Sequence, residues 1–147
     1  MKALIQRVAE ARVEILQRTV GKISQGMLVL LGIEKGDTEK DVEYLIKKIA
    51  NLRIFGDSLG KMNLSLKDIQ GEVLAVSQFT LSADCRKGNR PSFDHAEGPS
   101  KAHTFYIMFI ERLKQQGLKV ESGEFGADMQ IHLVNDGPVT MLIDSRR

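Results

Sequence analysis

The chain has 147 residues and a formal net charge of +2, from 21 basic and 19 acidic side chains. That length suits one domain whose core needs no staples, and the near-neutral balance excludes a polybasic nucleic-acid tail. A single cysteine excludes an intramolecular disulfide and a multi-cysteine zinc site.

No apolar run approaches the ~18 residues of a membrane helix. The opening MKALIQRVAE carries charges where a secretory signal has its apolar stretch. The expectation is one soluble, cytoplasmic domain over residues 1–147. Ala3, Ile5 and Val8 begin an extended segment that Val13 and Ile15 continue. Met27 to Ile33 is a continuous apolar run, the pattern of a strand buried on both faces. A helix follows, capped by Asp37 or Thr38, with Val42, Leu45, Ile46 and Ile49 on one stripe. Asn51 to Phe55 reads as a short strand and residues 56–71 as turns. Glu72 to Leu81 is the next strand, and Ser82 to Phe93 a mobile loop. Pro99 and Ser100 open a second helix, whose apolar stripe includes Phe105, Tyr106, Phe109 and Leu113, and Gly117 stops it. Lys119 to Glu121, Met129 to Asn135 and Val139 to Ile143 read as strands, the last two joined by a turn at Asp136-Gly137-Pro138. The whole is an α/β or α+β domain, with a sheet or barrel-like core of five or more strands and two main helices packed on it.

Familiar catalytic motifs fail. Gly56 to Met62 has three residues between its glycines, and methionine where a phosphate loop has Ser or Thr. His95, His103 and His132 lack ligand spacing. Cys85 has basic neighbours but no orienting partner for a histidine base.

Two segments look purposeful. Ser77-Gln78-Phe79-Thr80 ends an apolar strand in three polar heads and an aromatic wall, and strand ends are where open sheets bind ligands. Ser77 and Thr80 facing solvent is an equally good reading from chemistry alone. Asn135-Asp136-Gly137-Pro138-Val139-Thr140 is rich in turn formers. Its Gly-Pro bond can be cis at modest cost, and Gly137 presents bare backbone to any ligand.

Together these segments resemble the SQxT and NxGPVT signatures of the D-aminoacyl-tRNA deacylases. Met1 to Val8 resembles that family's N-terminus, and Lys87 to Phe93 resembles its loop. Each motif alone is weak; four in order, over the whole chain, are specific. The resemblance implies a homodimer with its active site at the subunit interface, which hydrolyses the ester between a D-amino acid and the 3′ end of tRNA without metal or other cofactor. It implies catalysis around Ser77, Gln78, Phe79 and Thr80. Gly137 and Pro138, with Asn135, Val139 and Thr140, would form a gate that rejects L-amino acids. Glycyl esters, including glycine mischarged on tRNA-Ala, would pass the gate. Arg86, Lys87 and Arg90 would contact tRNA, and Arg7 would brace the gate. A sister family that removes L-alanine from the wrong tRNA has Met at the position of Phe79, so Phe79 favours the D-specific reading. Thr80 as a covalent nucleophile and a non-catalytic RNA-binding module of the same fold are the alternatives.

Overall fold

A computed structural model describes all 147 residues. The strands are β1 (Lys2–Ile15), β2 (Arg18–Ile23), β3 (Gly26–Gly32), β4 (Phe55–Gly56), β5 (Met62–Leu64), β6 (Glu72–Ser77), β7 (Lys119–Ser122) and β8 (Gln130–Asp144). The helices are α1 (Glu39–Asn51), α2 (Leu66–Ile69) and α3 (Pro99–Gln115).

The long strand β1 organises the sheet. One of its edges carries antiparallel β8, from Lys2 opposite Asp144 to Glu14 opposite Gln130. The other edge carries β3 against its first half and β2 against its second, both antiparallel. Parallel pairing then leads from β3 to β6 and from β6 to β7. β2 lies against β7, so the mixed sheet nearly closes into a barrel. β8 pairs only with β1 and forms an edge.

The apolar runs of β3 and β6 fill two cores, one on each face. Met27, Val29, Leu31, Val73 and Ala75 meet the helices in the larger core. Leu28, Leu74 and Val76 point the other way, into the barrel interior with Val8, Val13 and Ile23. This is why both strands read as continuous rather than alternating. The stripes of α1 and α3 pack on the first face, and Phe109 is wholly buried there. Truncating such a ring to alanine costs about 3–5 kcal/mol.

Thr38 opens α1, donating its backbone N–H and its hydroxyl to the Asp41 carboxylate at 2.8 and 3.1 Å. Pro99 stands in the first turn of α3. Gly117 follows that helix with φ +82°, a conformation that favours glycine.

Four expectations are corrected. The strand expected over Glu72 to Leu81 stops at Ser77, and Phe79–Ser82 is a 3-10 turn. The segment Asn51 to Phe55 belongs mostly to the end of α1 and a connection, with strand only at Phe55–Gly56. The turn-rich stretch 56–71 contains α2, whose Leu66 is buried in the larger core. The two strands expected at Met129 to Asn135 and Val139 to Ile143 are one strand, β8. Val8 pairs with Asn135 and Gln6 with Thr140, so residues 136–139 bulge out opposite the single residue Arg7. Continued pairing with β1 on both sides overrides the turn preference of Asn-Asp-Gly-Pro.

Candidate active site

β6 delivers Ser77 to the end of the sheet, and the chain turns sharply there. The Gln78 N–H donates to the Leu31 carbonyl of β3 at 2.8 Å, which fixes where the turn begins. Within the 3-10 turn, Leu81 N–H donates to Gln78 O at 3.3 Å, and Ala83 N–H to Thr80 O at 3.1 Å. The N–H groups of Phe79 and Thr80 open the turn and have no acceptor inside it. The Gln78 amide donates to the Thr80 hydroxyl. Phe79 is 58 % exposed and meets Phe93 edge-on, with ring centroids 5.0 Å apart.

The turn is braced from behind. A β-carbon on Gly32 would lie 3.1 Å from both the Gln78 carbonyl oxygen and Leu81 Cβ, so any larger residue there would press the turn outward by a few tenths of an ångström. Lys2 reaches over the same turn, with Nζ 3.4 Å from the Leu81 carbonyl and 2.8 Å from Glu34. Burial pushes the Glu34 carboxyl up, but Lys2, together with Ser82 and the N-terminal ammonium, outweighs it and leaves it below its ordinary value.

Ser77, Gln78 and Phe79 form one wall of a cleft of about 540 Å³. Pro99 and Ala102 at the start of α3 contribute another wall, with Ala96 and Glu97. Phe125 to Met129, between β7 and β8, closes the far side with Ile131. Thr80 is exposed and stands outside this lining. As cleft residues, Phe125, Met129, Pro99 and Ala102 lie outside the sequence-based site; Pro99 reads there only as the start of a helix and Met129 as the start of a strand. Their one local signal is Phe125 set between Gly123 and Gly126 in an otherwise patternless connection.

The second motif is built differently. The Gly137–Pro138 peptide bond is cis, and Gly137 has φ +143°. Asn135 laces the bulge. Its Oδ1 accepts from Val139 N–H at 2.9 Å, and its Nδ2 donates to Thr140 Oγ1 at 3.1 Å. Gln6 donates to the same threonine hydroxyl at 3.3 Å. Arg7 donates from Nε to the Asp136 carbonyl and from Nη1 to the Ile54 carbonyl. Gly137 and Pro138 are exposed, and no residue of 135–140 lines the cleft. Within one chain, then, the two motifs do not meet.

The basic loop is closed at its base, where Asp84 and Ser92 exchange backbone bonds of 2.8 and 3.0 Å. Arg86 is spoken for. Its Nε and Nη2 bind the Asp84 carboxylate at 2.9 and 2.6 Å, holding that acid well below its ordinary range. Lys87 and Arg90 are exposed. The histidines remain apart from any metal-like cluster: no three His, Cys, Asp or Glu side chains gather to hold an ion. His103 instead lies against the Phe125 ring, with centroids 4.8 Å apart.

The architecture, a nearly closed mixed sheet with two helices, is shared with solved structures. One, described as c-Myc DNA Unwinding Element Binding Protein, superposes with a TM-score of 0.92 at 44% identity, over 98% of each chain. Another, described as a probable eukaryotic D-amino acid tRNA deacylase, shares the fold at a TM-score of 0.84 and 14% identity, over 97% of each chain. The family model for D-Tyr-tRNA(Tyr) deacylase matches residues 4–144. A D-aminoacyl-tRNA deacylase of Thermotoga petrophila is 57% identical over 100% of this chain and 99% of its own. One from Geobacter sulfurreducens is 55% identical over 99% of this chain and 96% of its own. The chain belongs to the D-aminoacyl-tRNA deacylase family, and is thus a hydrolase acting on aminoacyl-tRNA esters.

Proposed function

We propose that this chain clears D-aminoacyl esters from tRNA in the cytoplasm as a homodimer, with each cleft completed by the partner's Gly137-Pro138 loop. The observation that carries this reading is the separation of the two motifs. The cleft of Ser77, Gln78 and Phe79 lacks a gate, while the exposed, tightly laced bulge lies outside it. A second copy brings them together.

In this reading the carbonyls of Gly137 and Pro138 occupy the space an L side chain needs, so selection works by exclusion. Glycine has no side chain to exclude, and glycine mischarged on tRNA-Ala is a substrate. Asn135, Val139, Thr140 and Arg7 keep the gate in shape. The N–H groups of Phe79 and Thr80 stabilise the oxyanion, each contributing about 3–4 kcal/mol. Ser77 and Gln78 orient the aminoacyl end, and the ribose 2′-OH of the substrate activates the water. Lys87, Arg90 and the Nη1 arm of Arg86, which Asp84 leaves free, contact phosphate at the acceptor end.

Mixed dimers test the interface site. One partner carries Gln78→Ala in the cleft, the other Gly137→Val in the bulge, and each variant alone is expected to be inactive on D-tyrosyl-tRNA. Mixing them restores one intact composite site, so recovered hydrolysis supports the proposal and its absence rejects it. L-tyrosyl-tRNA must survive with the unaltered chain and with the mixed dimer.

A further inference from the structure

Tyr106 of α3 is 2 % exposed, yet it carries a hydroxyl into the larger core. Its OH donates to the Ala75 carbonyl of β6 at 2.8 Å. Burial pushes the phenol up to about 12, so it stays a donor at neutral pH. A buried polar group of this kind needs its partner, but a phenylalanine would fill nearly the same volume and need none. The placement of the hydroxyl is therefore informative.

Ala75 lies two residues before Ser77, on the strand that ends in the cleft's polar wall. The same Ala75 carbonyl accepts a second bond, 3.3 Å from Gly123 N–H. Gly123 begins the connection that becomes the cleft's far wall at Phe125 and Met129. The Tyr106 ring lies against the Phe125 ring, centroids 5.8 Å apart. One side chain thus touches Phe125 of the far wall through its ring and, through its hydroxyl, the strand two residues before Ser77.

We propose that Tyr106 is a positioning residue that sets the width of the cleft, its hydroxyl gauging the ring from β6 and its ring backing Phe125. The inference rests on the cleft being where the aminoacyl end binds. The catalytic turn is held separately, by Gln78 N–H on the Leu31 carbonyl. Loss of the Tyr106 hydroxyl therefore weakens capture of the substrate more than its conversion.

The test is a double-mutant cycle of Tyr106→Phe and Phe125→Leu, with KM and kcat on D-tyrosyl-tRNA measured well below the unfolding midpoint. Tyr106→Phe is expected to raise KM about three- to tenfold, the ratio that one lost hydrogen bond represents, with kcat within about twofold. Because Tyr106 acts through Phe125, the double variant should have the KM of Phe125→Leu alone. A KM unchanged in Tyr106→Phe, or effects of the two changes that simply multiply, overturns the proposal and leaves the tyrosine a core residue. An unaltered KM in Phe125→Leu instead rejects the placement of the substrate in the cleft. Failure of the unaltered chain to hydrolyse the D ester rejects the functional reading itself.

Discussion

Arg7 and Asp136 face each other across the β1–β8 pair at the wider of the two places where the ladder shifts register. The guanidinium Nε lies 2.9 Å from the Asp136 carbonyl and 3.6 Å from its carboxylate. Its other arm reaches the Ile54 carbonyl at 2.7 Å, so a single side chain ties the bulge to the chain beyond α1. A lysine is a point charge and cannot hold two carbonyls in this fixed fork. Arg7→Lys is expected to lower stability by about 1–3 kcal/mol. Hydrolysis of the D ester should fall roughly ten- to a hundredfold, the usual cost of a misplaced binding group. Urea unfolding and ester release measured on one preparation check both.

Gly137 has less room than its exposure suggests. A β-carbon there would lie 2.8 Å from Val139 Cγ2, 2.9 Å from Val139 N and 3.1 Å from Arg7 Nη2. Its φ of +143° is also one that L side chains rarely adopt. Gly137→Ala should therefore displace the bulge, with strain of about 1–3 kcal/mol. The expected outcome is slower D-ester hydrolysis and a smaller ratio of D to L turnover, read by comparing D- and L-tyrosyl-tRNA.

Thr80 separates two mechanisms. Its hydroxyl accepts from the Gln78 amide, and no basic side chain is hydrogen-bonded to it. If the backbone donors of the turn and the substrate's 2′-OH carry the reaction, Thr80→Ala keeps activity within about tenfold, since the N–H groups survive the change. A drop of several orders of magnitude with the fold intact would make Thr80 the nucleophile. Single-turnover hydrolysis of D-tyrosyl-tRNA decides the point.

Acid should unfold the protein from beneath the 3-10 turn of Phe79–Ser82. Burial pushes both Glu34 and Asp41 up. Lys2, together with Ser82 and the N-terminal ammonium, outweighs this for Glu34, and hydrogen bonds from Ser145 and Thr38 do so for Asp41. Both therefore titrate in the folded chain below their ordinary 4.5 and 3.8. Their contribution is complete above those unfolded values and is lost as pH falls through the lower folded ones. Urea midpoints are expected to hold steady down to about pH 5.5 and to decline below roughly pH 4.5. Glu34→Gln should be less stable at neutral pH, because Lys2 loses its partner, and should show a shallower acid decline.

The helices and inner strands were legible because their signals are local. Val42 to Ile49 and Phe105 to Leu113 repeat at helical spacing, and Met27 to Leu31 and Val73 to Val76 are uninterrupted. The continuity of β8 was not legible. Asn135 to Pro138 is written in turn-forming residues, and only the long partner β1 carries the strand past them. The polar wall at Ser77 and Gln78 followed from an apolar strand ending in polar heads. The opposite wall at Phe125 and Met129 comes from a connection without periodicity, placed by Tyr106 and Gly123 through contacts distant in sequence. The link from Arg7 to the bulge came only from the family resemblance, since Arg7 and Asp136 lie at opposite ends of the chain.

The pairing of β1 with β8 also has a consequence in time. β1 leaves the ribosome first among the strands and is the last to be fully partnered, because Lys2 to Glu14 must wait for Gln130 to Asp144. Closing so long a loop makes the final ladder an inherently slow step. Until then one edge of β1 is open to stray strands. The bulge of Gly137 and Pro138 rides on that closing strand, so a nascent chain acquires the proposed gate only once almost every other element is in place.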